Sequence, residues 1–168
     1  MPLSRLLRLA AVGLLIAAAV APSVRAQTEL DRIVARVNNR IITRSDVHQA
    51  RLLQLVEHTG SDEAVRRELE NRVLILSDAA RSAPLAPTTA GDLAERRRQW
   101  EVRVGGPAKA AKLLAEAGLS DAGLIRWLED DLRIQAYLGR QLGTVPDGDR
   151  PRATTDWINR LRQRAGLR

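Results

Sequence analysis

The sequence predicts a mostly α-helical domain opened by a small β-hairpin, followed by a bundle of about five helices and a C-terminal helix that docks back. Three observations predict it. Ile33, Ala35 and Val37 alternate with Val34 and Arg36, and Asn38-Asn39 then supplies a tight turn before the β-branched return Arg40 to Thr43. From Asp46 onward, stretches of helical periodicity are separated by Gly, Pro and Ser/Thr signals. The 168 residues include no Cys and no Phe, and only three Trp and one Tyr, so Leu, Ile, Val and Ala must build the core unaided by disulfides.

Residues 1–26 read as an export signal. Arg5 and Arg8 precede an apolar core from Leu9 to Val20, then come Pro22 and an acceptable cleavage site at Val24-Arg25-Ala26. Twelve apolar residues fall short of the ~20 a bilayer-spanning helix needs. Removing this segment, with its three arginines, leaves 142 residues with 24 basic against 20 acidic side chains, a net +4. That balance is too mild, and its basic residues too scattered, to argue for nucleic acid. Residues 27–143 read as one domain, 144–153 as a linker rich in Pro, Gly and Asp, and 154–168 as the C-terminal helix.

A hairpin of two strands cannot stand alone, so it needs a partner surface. Ser45 is the expected cap of the first helix, about Asp46 to Glu57, whose Val47, Ala50, Leu52, Leu53, Leu55 and Val56 surround it without forming one stripe. Ser61 caps the second helix, about Asp62 to Arg81, where Val65, Leu69, Val73, Leu76 and Ala80 make one stripe, with Arg66, Arg67, Glu70 and Asp78 off it. Thr88 or Thr89 opens a weakly amphipathic third helix, about Ala90 to Arg103, and Gly105-Gly106 stops it. Pro107 opens a short Ala-rich helix to Ala117. Ser120 caps a long helix, about Asp121 to Leu142, whose Leu124, Trp127, Leu128, Leu132, Ile134, Leu138 and Leu142 share one arc. Thr154 or Thr155 caps the last helix, on which Trp157, Ile158, Leu161 and Ala165 form the apolar face. An eleven-residue helix is marginal alone, so Trp157, Ile158 and Leu161 are expected to dock it onto the body.

In this order of elements, Val34-Ala-Arg-Val-Asn-Asn-Arg-Ile-Ile-Thr-Arg-Ser-Asp-Val47 resembles the opening signature of the N-terminal chaperone domain of SurA-type periplasmic proteins. Leu69-Glu-Asn-Arg-Val-Leu-Ile-Leu76, the turn Gly118-Leu-Ser-Asp121 with Leu124-Ile-Arg-Trp-Leu128, and Asp156 to Ala165 resemble its later helices and its C-terminal helix. The resemblance covers most of residues 30–168. That family usually carries parvulin prolyl-isomerase domains before the last helix, where this chain has only 144–153. The resemblance therefore implies the chaperone half without the isomerase.

The residues offer no reactive centre. No glycine-rich phosphate loop is present. His48 and His58 stand ten apart without Cys or clustered carboxylates, which argues against a metal. Ser45, Ser61 and Ser120 read as helix caps rather than nucleophiles. Arg96-Arg97-Arg98 reads as a solvated face, against the alternative of a docking patch for anionic lipid or client acids. Asp131 falls within the apolar arc of the long helix and Arg72 within the stripe of the second. Either the two meet as a partly buried ion pair, or each reaches water separately.

The expected function is ATP-independent holding of unfolded polypeptides in the periplasm, outer-membrane proteins by the family likeness, with no cofactor, nucleic acid or stable membrane insertion. Leu52, Leu53, Leu55, Val56 and Trp100, the last as the most exposed aromatic, are candidates to line an apolar groove; the alternative is that they pack between hairpin and bundle. Two other functions stand against this one: an assembly or structural subunit that binds one fixed partner or itself as a homodimer, and a prolyl isomerase.

Overall fold

A computed structural model describes residues 31–57, 59–82, 84 and 87–167. The export-signal reading of residues 1–26, and His58, lie outside the described residues. Those described form a two-stranded antiparallel sheet followed by six α-helices.

Strands β1 (Ile33–Val37) and β2 (Arg40–Thr43) pair with Val37 opposite Arg40, Arg36 opposite Ile41, Ala35 opposite Ile42 and Ile33 opposite Thr43. A bulge interrupts the register between Ile33 and Ala35. Asn38 supplies the left-handed turn residue at φ 50°. One face of the hairpin packs inward through Val37 and Ile42, while Ile33 and Ile41 are half exposed.

Helix α1 (Arg44–Leu52) begins without a linker. Thr43, not Ser45, is its cap: its hydroxyl accepts from the Asp46 N–H at 3.2 Å, and the Asp46 carboxylate accepts from the Thr43 N–H at 2.8 Å. This is a capping box. Thr43 is thus both the end of a strand and the start of a helix, which moves the cap two residues earlier. The Ser45 N–H instead donates to Asp31 at 3.2 Å.

The helix also stops earlier than Glu57. The Gln54 N–H returns to the Arg51 carbonyl at 3.2 Å and the Leu55 N–H to the Ala50 carbonyl at 2.9 Å, with Gln54 left-handed at φ 49°. That pair of bonds is a Schellman closure with glutamine where glycine is usual. The apolar residues around this end divide between two cores: Val47, Ala50 and Val56 contribute to one, and Leu52, Leu53 and Leu55 to the other.

Helix α2 (Asp62–Arg81) is capped by Ser61. Its buried set is Val65, Leu69, Glu70, Leu74, Ile75 and Ala79, a surface displaced from the expected stripe, on which Ala80 is exposed. Helices α3 (Ala90–Val104), α4 (Pro107–Ala117) and α5 (Asp121–Gln141) lie close to their expected bounds. Thr89 and Asp92 form a second capping box, which holds the Asp92 carboxyl below its ordinary range. Gly105 at φ 100° closes α3, where a side chain would be strained.

A 3₁₀ turn at Asp147–Asp149 leads into α6 (Arg150–Arg164). This helix starts six residues before the expected Asp156; Pro151 is accommodated in its first turn, where no hydrogen-bond donor is needed. Thr154 and Thr155 are therefore interior, and their hydroxyls donate to the carbonyls of Arg150 and Pro151.

The elements enclose two small cores. The first joins the hairpin, α1 and α2 with Tyr137 of α5 and Leu161 of α6. The second joins Leu53 and Leu55 to Trp100 and Val104 of α3, Ala110 and Ala117 of α4, and Leu124 and Leu128 of α5. Trp127 packs against both. Gln54→Gly is expected to raise stability by about 1 kcal/mol, since glycine adopts the left-handed backbone freely. Urea denaturation would read a higher midpoint at unchanged slope; an equal or lower midpoint would contradict the closure.

Candidate functional site

The site is built on two ionic contacts that cross between helices. Arg72 of α2 is ion-paired to Asp131 of α5, donates to the Trp127 carbonyl at 2.6 Å, and lies 4.0 Å above the Trp127 ring. The other oxygen of Asp131 accepts from Arg96 of α3 at 2.8 Å. All three side chains are at most 20% exposed. Arg72 and Asp131 therefore meet, and Arg96 completes a triad that the spacing did not reveal.

The basic run on α3 is engaged within the protein. Arg97 pairs with Glu101 at 3.0 Å and Asp121 at 2.6 Å. Those contacts hold the Asp121 carboxyl below its ordinary range and raise Arg97. Arg98 pairs with Glu95. Each guanidinium of the triplet has a carboxylate within reach, and Arg98 stays 64% exposed, as on a solvated face.

The second contact was not legible. Glu70, off the expected stripe, is 2% exposed. One oxygen accepts from Arg162 of α6 at 3.0 Å, and the other is paired with Arg66. Arg162 also donates to the Asn71 side chain at 3.0 Å. The one available signal was that Glu70 follows Leu69 and Arg162 follows Leu161, opposite charges beside two apolar anchors. Leu161 is buried, while Trp157 and Ile158 are half-buried against the first core. The expected docking face is thus in place within one chain. Tyr137, outside the expected arc of α5, is buried against Trp157 and donates to Asp78 at 2.8 Å.

Between these contacts lies an open cleft of about 490 Å³. Ile75 of α2, Ile134 and Leu138 of α5, Ile158 of α6, and Leu55 and Val56 after α1 give it an apolar lining. Arg72, Arg96 and Asp131 stand at its polar side. A volume in this range suits a few apolar side chains.

Only part of the expected groove survives. Leu55 and Val56 line the cleft, but Leu53 and Trp100 are 0% exposed and Leu52 is half-buried against the second core. Trp100 donates its indole N–H to the Leu53 carbonyl at 2.8 Å. The correction has a physical cause. Leu53, at the C-cap of α1, enters the second core, where the large indole of Trp100 packs with Leu124 and Leu128. Sequence reasoning missed Ile75 and Ile158 as cleft residues because each also looks like ordinary core on its own helix.

His48 is exposed on α1. Among the described residues no three of His, Asp and Glu gather into a metal site, and no helix is long and apolar enough to cross a membrane. Ser61 and Ser120 accept from the backbone N–H groups of Ala64 and Gly123, as caps do.

Asp131→Ala strands two part-buried guanidinium groups and is expected to cost about 3–5 kcal/mol in chemical denaturation; a variant as stable as the parent would remove the triad from the account. Arg162→Met is expected to loosen α6, read as faster amide hydrogen exchange across residues 150–164 with little change in α3 and α4. Uniform exchange across all helices would show instead that α6 is not separately held. Comparison with protein-family models, with curated proteins and with solved structures gave no match.

Proposed function

We propose that this chain is an ATP-independent holdase, a periplasmic domain of the SurA type that shields apolar side chains of unfolded polypeptides, outer-membrane proteins among them. One observation carries the reading: an open cleft whose wall includes Leu55, Val56, Ile75, Ile134, Leu138 and Ile158, from separate stretches of the chain, with charged and polar side chains among them. The periplasmic setting rests on the sequence of residues 1–26, and the client class on the resemblance of the hairpin and its following helices.

The energetics fit reversible capture. Burying about 200 Å² of apolar surface contributes about 5 kcal/mol at ~25 cal/mol per Å². Ordering the client opposes part of that. Contacts of this size form and release without nucleotide hydrolysis. The wall contributed by Ile158 ties the cleft to the docking of α6, so Glu70 and Arg162 act as positioning residues for it.

The test is light scattering of an outer-membrane barrel protein diluted from denaturant. The parent chain is expected to suppress aggregation at near-equimolar ratio. Ile134→Asp with Leu138→Asp is expected to abolish suppression, while Val102→Asp, at a side chain 78% exposed and away from the cleft, leaves it intact. Circular dichroism checks that the variants stay folded. Full suppression by the cleft variant would displace the site, and no suppression by the parent would end the holdase reading.

A further inference from the structure

The hairpin carries a second surface that the cleft does not use. Arg36 is opposite Ile41 and Ile33 opposite Thr43, so these four share the outer face, away from Val37 and Ile42. Ile33 and Ile41 are 50% and 49% exposed. Arg36 shares this face and Arg32 and Arg44 lie beside Ile33, all three exposed; Arg40 is exposed too but stands opposite Val37, on the inward side.

Among the described residues no ion pair engages any of these four arginines, a state they share with Arg67, Arg126, Arg152 and Arg160 elsewhere on the surface. The neighbouring acids are committed elsewhere. Asp46 closes the capping box, Asp31 accepts from Ser45, Asp62 pairs with Arg51, Glu63 with Arg66, and Asp130 with Arg133. The conspicuous Arg96-Arg97-Arg98 run is neutralised by its own carboxylates, whereas the dispersed Arg32, Arg36 and Arg44 present their charge outward.

We infer that the outer face of the hairpin docks on an anionic lipid bilayer surface, with Ile33 and Ile41 entering the headgroup boundary and Arg32, Arg36 and Arg44 meeting lipid phosphates. Two features favour a bilayer over an acidic protein. The strands are five and four residues long, too little surface for a stable protein interface at about 800 Å² per partner. A bilayer asks less, since shallow insertion of a few apolar side chains and several adjacent basic groups suffice. Guanidinium groups also match phosphate with paired donors. No hairpin residue lines the cleft, so this surface stands or falls apart from the holdase reading.

The experiment is co-sedimentation of the full chain with phosphatidylcholine vesicles, with and without phosphatidylglycerol, at low and high salt. Residues 1–30 are the same in every arm, so the comparison between variants reads the hairpin. Binding is expected to need phosphatidylglycerol and to fall with salt. Arg36→Gln with Arg44→Gln is expected to weaken partition about 30-fold, at the usual increment per basic residue beside an anionic surface. Arg36→Lys with Arg44→Lys keeps most of it. Ile33→Ser with Ile41→Ser also weakens binding, with circular dichroism unchanged. Equal binding to both vesicle types, or no loss in the glutamine pair, would overturn the assignment. So would polyglutamate binding as tight as vesicle binding and indifferent to the Ile variants, which would mark a face for acidic polypeptides.

Discussion

Asp131 is shared between Arg72 and Arg96, and that sharing joins two packing units that are each small. The chain has no Phe, and its three Trp and one Tyr are divided between the two cores or set at their boundary. Each core is therefore made mostly of aliphatic side chains. Long α5 runs through both, with Leu124 and Leu128 in one and Tyr137 in the other. Asp131 lies between those positions and ties α5 to α2 on one side and α3 on the other. A buried carboxylate without partners would be costly; with two guanidinium groups it becomes a register mark between helices. Trp127, stacked under Arg72, belongs to both cores and seals the same junction.

Glu70 and Arg162 do for the C-terminal helix what Asp131 does for the body. Leu161 alone would let α6 slide along the apolar surface of α2, because hydrophobic contact is non-directional. A paired, nearly dry Glu70–Arg162 contact has one geometry, and Asn71 shares the same guanidinium. The fixed position matters because Ile158 completes the cleft wall. The polar contacts thus set where the apolar opening lies, while the apolar side chains define what it accepts.

The arginines differ in whether a carboxylate of the same chain holds them. Arg66, Arg72, Arg96, Arg97 and Arg162 are held by carboxylates of the same chain and define helix positions. Those of the hairpin face solvent. Net charge alone does not distinguish the two, since the total counts a guanidinium equally whether or not a carboxylate neutralises it.

The sequence by itself determined the order of elements, most caps and stops, and the presence of a docking face on the last helix, because these follow from local rules: alternation, helical period, hydroxyl caps, Gly and Pro. It also brought Arg72 and Asp131 forward, since charges inside an apolar arc call for partners. Tertiary structure alone decided the rest. The early end of α1 depends on a left-handed glutamine, which no local preference announces. Trp100 was placed on the weakest amphipathic face, and its burial came from a cavity formed by three other helices. Glu70 read as a surface residue until α6 covered it. The cleft combines Val56, Ile75, Ile134 and Ile158 from four separate stretches of chain, and separation along the sequence carries no information about which apolar side chains remain open between helices once the cores have closed.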